Sequence, residues 1–147
     1  MADRSVEIVY CEDIRLEKSE QFSIIGVYQL ALSVPNFPFV LPKICFWVRV
    51  RTDIDDLFQS LTFVVDDSGG NQLANIVIPP ESLLAQGKTM DAVDWTDMGH
   101  PRCEVGIHFG ISPLVCSGPM VLRPKVVTER ETLTCTPMRI QASAPEV

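Results

Sequence analysis

Residues 43–51 read KICFWVRVR, and the order of those nine letters decides the fold. Ile44, Phe46, Val48 and Val50 fall on one parity, while Lys43, Cys45, Trp47, Arg49 and Arg51 fall on the other. A strand sends successive side chains to opposite faces, so this spacing makes a strand with one wholly apolar face.

The same period of two spreads in both directions. Toward the N-terminus, SVPNFPFVLPK carries prolines that push each preceding residue out of the α region and force an extended passage. Before it, Phe22, Ile24, Tyr28, Leu30 and Leu32 alternate with Ser23, Ile25, Val27, Gln29 and Ala31, which predicts one long, largely central strand with apolar groups on both sides. EDIRLEKSEQFS places Ile14 and Leu16 in alternation ahead of a polar turn, a hairpin pattern.

Toward the C-terminus, LTFVVDD and NQLANIVIPP flank the turn DSGGN as a second hairpin. PPESLLAQG predicts a short helix near residues 80–86, with proline opening it and Gly87 ending it. KTMDAVDWTDMGHP is a polar connection, CEVGIHFGIS a strand, and PMVLRPKVVTERETLTCTPMRI a final pair turning near Glu129 and Arg130. Pro137 shifts the apolar phase of that last strand, which calls for a bulge or an edge position.

About eight strands at short spacing with one brief helix give an all-β chain, an antiparallel β-sandwich. No βαβ alternation supports a parallel sheet. Residues 1–141 read as one domain and 142–147 as a flexible tail.

The 147 residues are 46% hydrophobic, enough for a full core. The longest apolar run, FPFVLPKICFWV, is cut by Pro38, Pro42 and Lys43 and falls short of the roughly 18 residues of a membrane span. MADRSVEIVYCEDIR lacks the pattern of a secretory signal, so the expected location is cytoplasmic. Cys11, Cys45, Cys103, Cys116 and Cys135 are odd in number, widely spaced and free of any C-x-x-C pair, as buried thiols in a reducing compartment would be. The net charge of −7 sits in the middle: residues 52–101 carry nine acids against Lys88 alone. That balance has no overall attraction for phosphate backbones and argues against nucleic acid as a partner. It is also an ordinary route to solubility.

HPRCEVGIH, residues 100–108, gathers His100, Cys103 and His108, which include both histidines of the chain. Cys103 and His108 have opposite parity, so a regular strand parts them, and zinc needs its ligands within roughly 2.0–2.3 Å. The expected state is a buried cysteine, a sheet-face His108 and a loop His100, with no metal and no cofactor. The acidic clusters DIDD (Asp53, Asp55, Asp56) and DDSGGN (Asp66, Asp67, Asn71) flank one strand. Their separation of about 26 Å at 3.3 Å per residue is too great for one calcium ion. GISPL, residues 110–114, echoes a nucleophile elbow but has Leu114 in place of the second glycine and Pro113 after Ser112. Neither phosphate-binding glycine motif occurs.

What remains is surface. Trp47 shares a strand face with Arg49 and Arg51, the residue types enriched at binding hot spots. The competing structural account covers Trp47 with the 88–101 connection and lays the arginine stems over apolar surface. That connection is the second candidate, gathering Asp91, Asp94, Trp95, Asp97 and His100; a plain crossover between sheets would look similar.

SIIGVY (23–28) and PNFPFVLPKICFWVRV (35–50) resemble an uncharacterised family of short bacterial and phage β-sandwich domains. There an "L-I-G-x-[FY]" strand precedes a proline-punctuated "F-P-[FAL]-x-x-P-K/R" passage and a strong strand. The likeness lies mainly in residues 7–80 and implies the sandwich fold without assigning an activity. The expectation is a non-enzymatic protein-interaction module with a protein partner, bacterial or phage-encoded, acting away from membranes. Its binding residues would be Trp47, Arg49, Arg51, Asp94, Trp95, Asp97 and His100. A small-ligand or carbohydrate-binding sandwich stacking its ligand on a tryptophan is the alternative, and a metal-dependent enzyme using His100 and His108 the second.

Overall fold

The computed structural model describes residues 3–144. The first half of the chain forms β1 (Ser5–Leu16), β2 (Phe22–Val27), β3 (Ala31–Val34), β4 (Phe39–Leu41), β5 (Ile44–Asp53), β6 (Leu61–Asp67) and β7 (Gln72–Val77). Helix α1 (Pro80–Met90) follows, then β8 (Arg102–Ile111), β9 (Leu114–Cys116), β10 (Met120–Thr128), β11 (Thr132–Thr134) and β12 (Met138–Ala142). One sheet runs β2-β1-β5-β8; the other runs β3-β12-β10-β6-β7, with β11 on β10; β4 and β9 form a separate two-stranded ladder. The expected all-β sandwich with a single helix is what forms, with twelve strands among the described residues rather than about eight. The excess comes from short segments such as β4 and β9, too brief to show a period. One pair, β3 with β12, is parallel.

The core follows from strand parity. Ile44, Phe46, Val48 and Val50 are all fully buried. Phe46 packs edge-on against Tyr10 of β1 at 5.6 Å and Phe63 of β6 at 5.9 Å, linking the two sheets. Each such side chain contributes about 1.5–3 kcal/mol by leaving water.

Three local expectations are corrected. Phe22–Leu32 is not one central strand. Gly26 sits at φ +67, where residues with a Cβ are strained. Just beyond it Tyr28 N–H donates to the Tyr10 carbonyl (2.8 Å), while Arg139 N–H donates to the Leu30 carbonyl (2.8 Å). The chain therefore leaves one sheet at Tyr28 and enters the other at Leu30, giving an edge strand in each. Its apolar residues on both parities reflect that crossing.

The helix does not stop at Gly87. Asp91 N–H donates to the Gly87 carbonyl, and a Cβ on Gly87 would lie 3.0 Å from Leu57 Cδ1, so the glycine permits close packing inside the helix. The C-terminal segment is held further than expected: Gln141 and Ala142 pair with Ser33 and Val34, and Ser143 N–H donates to the Val34 carbonyl at 2.7 Å. Residues 145–147 of the expected tail lie outside the described residues.

The phase shift at Pro137 resolves as a bulge within the β10 ladder. Lys125 faces Thr134 and Leu122 faces Met138, so Cys135, Thr136 and Pro137 oppose only Arg123 and Pro124. The buried Tyr10 hydroxyl donates to the Thr136 carbonyl freed there, at 2.6 Å.

A candidate binding face on the four-stranded sheet

Register fixes what the outer face of this sheet displays. Trp47 lies between Val9 of β1 and His108 of β8, Arg49 between Glu7 and Gly106, and Arg51 between Ser5 and Glu104. Parity thus builds a stripe of aromatic and charged groups on the side opposite the core.

The β1–β2 hairpin folds over one end of that stripe. Along the ladder Phe22 stands three strand spacings from β8, about 14 Å. Its ring nevertheless lies 4.8 Å from His108 and 5.0 Å from Trp47. The hairpin therefore curls back across the sheet beyond Cys11, where β1 stops pairing with β5. Trp47 is half-buried for this reason, stacked at 15° beside His108 with its centroid 6.3 Å away. The 88–101 connection, expected to cover it, lies at the other end. Beneath the hairpin a hollow of about 250 Å³ is lined by Glu7, Val9, Ile24, Trp47 and Arg49.

At the opposite end the connection turns over the sheet. Met98 N–H donates to the Trp95 carbonyl, Asp97 adopts φ +62, and Asp94 accepts the Thr96 N–H at 3.0 Å. The Thr96 hydroxyl and then its N–H lower the Asp94 pKa. This turn sets Trp95 half-buried in a hollow of about 510 Å³, with Arg51, Met90, Val93, Met98, Arg102 and Glu104.

The two sequence candidates therefore meet on one face. Trp47 and Arg49 line one hollow, Arg51 and Trp95 the other. Asp94 and Asp97 sit in the turn and line neither; His100 is directed at Asp53, with Nε2 3.8 Å from Oδ2. Sequence reasoning missed Phe22, Glu7, Glu104 and Met98. Glu104 was on the correct parity of β8 and could have been found from it, whereas Phe22 arrives through the folded hairpin, which leaves no periodic trace.

Electrostatically the stripe is a ladder of ion pairs. Arg51 donates to Glu104 at 2.8 Å and to Glu7 at 2.9 Å, and the Glu104 hydrogen bond, against a smaller burial penalty, raises its pKa. Arg49 reaches Glu104 only at 3.7 Å and lies 5.9 Å from the Trp47 ring.

The other motifs are spent on architecture. Cys103 is buried and His108 exposed on the opposite face. Asp67 accepts the N–H groups of Gly69 and Asn71 and the Asn71 side chain, closing the β6–β7 turn, and these bonds, Asn71 first, lower its pKa. Asp56 pairs with Arg130 at 2.6 Å, and the Ser112 hydroxyl donates to the Pro42 carbonyl. Among the described residues no group of three or more His, Cys, Asp or Glu side chains gathers as a metal site. No helix among them is long and apolar enough to cross a membrane.

By class the chain is a two-sheet β-sandwich with one helix packed on an edge strand. No family model and no curated protein sequence matches it. Among solved structures it is similar to the CARDB domain of a Pyrococcus furiosus protein, solved in complex with di-metal ions. The two share 13% identity at a TM-score of 0.47, over 97% of this chain and 90% of that one.

Proposed function

We propose that the protein is a non-enzymatic binding module that holds a segment of a partner protein on the outer face of the four-stranded sheet. One observation carries this reading: two stretches distant in sequence converge there, so that one hollow holds Trp47 and Arg49 under the hairpin and a second holds Arg51 with Trp95 of the 88–101 connection. Half-buried tryptophans beside arginines have the composition of interface anchors. The 510 Å³ hollow at Trp95 also falls in the size range of small-ligand sites, which keeps a sugar or metabolite as the second reading.

A photo-crosslinking amino acid at Met98 tests the proposal, since this side chain lines the Trp95 hollow and is 60% exposed. Val77, 67% exposed on the other sheet, is the control position. Discrete protein adducts should form in cells from position 98 and not from 77, and Arg51→Ala with Trp95→Ala should remove them. Equal labelling from both positions would overturn the assignment. Saturable quenching of Trp95 by a sugar or metabolite, without protein adducts, would favour the second reading.

A further inference from the structure

We propose that the free half of β8 is a docking edge, where an extended segment of the partner protein adds to the sheet as a fifth strand. Its apolar side chains point toward the sandwich interior and a carboxylate on its outer face pairs with Arg49. The inference rests on the protein-binding reading above and specifies how the partner is held.

β8 pairs with β5 at ten consecutive positions without a register shift. Among the described residues no backbone hydrogen bond reaches its other edge. Sheet edges are commonly blunted by lysine, proline or a bulge, and β8 has none of these. The remaining edges are less open: β4, β9 and β11 are three residues long, β3 four and β7 six, and β2 is folded over the sheet.

Helix α1 screens only the beginning of β8. Gln86 touches the inward Cys103, whose Sγ lies 3.8 Å from Gln86 Oε1, while Met90 shares the outer hollow with Arg102 and Glu104. The helix thus straddles the edge at residues 102–104. Burial along the inward parity follows this cover. Cys103, Val105 and Ile107 are buried, then Phe109 and Ile111 are only half-buried although both pack on the core. A strand laid along residues 105–111 with apolar groups inward would extend the layer that α1 begins.

The charge preference comes from Arg49. Arg51 holds Glu104 at 2.8 Å and has Glu7 as well, whereas the one ion pair of Arg49 among the described residues is the 3.7 Å share of Glu104, and beyond that its guanidinium lies 5.9 Å from the Trp47 ring. Its neighbour across the ladder is Gly106, where an added Cβ would meet nothing within 4 Å. The glycine leaves an open lane from the guanidinium over β8 to the position an added strand would occupy. That position is two strand spacings away, about 9.6 Å, which an arginine and an acidic side chain span end to end. Main-chain pairing would supply affinity, and this ion pair with the inward pockets would supply selectivity.

The test is selection of a displayed library of random decapeptides on the full chain, followed by hydrogen exchange with a synthetic enriched peptide. Enriched sequences should alternate apolar and polar residues with an acid on the polar parity, and the peptide should protect amides within residues 105–111. Gly106→Glu, which the open space accommodates, would occupy Arg49 and repel the incoming acid, and should weaken binding about tenfold or more without lowering the thermal midpoint. Arg49→Glu should reverse the preference toward a lysine-bearing version of the peptide. No enrichment, enrichment indifferent to Gly106→Glu, or protection confined to the residues of the two hollows would overturn strand addition. A dimer in light scattering that Gly106→Glu abolishes would overturn it in favour of a second copy of this chain. Adducts from Met98 without any edge effect would refute this inference and leave the binding-face assignment standing.

Discussion

Among single side chains, the one with most at stake is Arg4. It is fully buried, donates to Thr52 and to the carbonyls of Asp56 and Leu57, pairs with Glu129 at 2.7 Å and lies 4.6 Å from the Phe58 ring centre. Its Nη1 has no hydrogen-bond partner among the described residues. Burial alone would raise the Glu129 pKa, but the Arg4 hydrogen bond and the N–H groups of Glu129, Gln59 and Ser60 outweigh it and hold the carboxyl at about 2. A carboxyl depressed in the folded state adds stability above its unfolded value, near 4.3, and loses it as pH falls toward 2. Glu129→Gln should therefore cost on the order of 2–3 kcal/mol at pH 7 and almost nothing near pH 2. Urea midpoints across that range measure it, and parallel pH profiles for the two proteins would refute the pairing. Tyr10→Phe removes the bond to Thr136 and leaves a carbonyl unpaired at the bulge. The expected loss is about 1–2 kcal/mol, read from the same denaturation curves.

The hairpin over Trp47 makes a distinct prediction. Phe22 is 39% exposed and rests on Trp47 and His108. In a Trp95→Phe background, Phe22→Ala should red-shift Trp47 emission and increase its quenching by acrylamide while costing about 1 kcal/mol or less, since a half-exposed ring gives up little burial. Unchanged emission would place the hairpin elsewhere. β5 and β8 were legible in the sequence because one buried face imposes alternation. The β6–β7 hairpin was legible because its Gly- and Asn-rich turn marks it, although Phe63, Val64 and Val65 are buried in a row. The crossing at Tyr28–Leu30 was not, because apolar residues on both parities read the same for a central strand as for a strand that changes sheets. Gly87 misled for a related reason: a glycine that ends a helix and one that admits Leu57 are the same letter.

Both halves of the candidate face were legible as composition, an aromatic beside arginines and a tryptophan in an acidic connection. Their meeting was not, since it depends on β1, β5 and β8 lying side by side and on where two loops fold. The same pairing assigns inside and outside, and one comparison tests the assignment. Phe46 and Trp47 are consecutive, yet Phe46 is fully buried between Tyr10 and Phe63 while Trp47 lies half-buried under the hairpin. Phe46→Ala should cost about 3–5 kcal/mol, the lost transfer energy plus an unfilled cavity. That is a large share of the roughly 5–15 kcal/mol holding a domain together. Trp47→Ala should cost about 1–2 kcal/mol, because solvent and the long Arg49 side chain can fill part of the space. Urea denaturation with a common slope separates the two. Equal losses would mean that both faces of β5 are interior, and the binding face would then be a second core rather than a surface open to a partner.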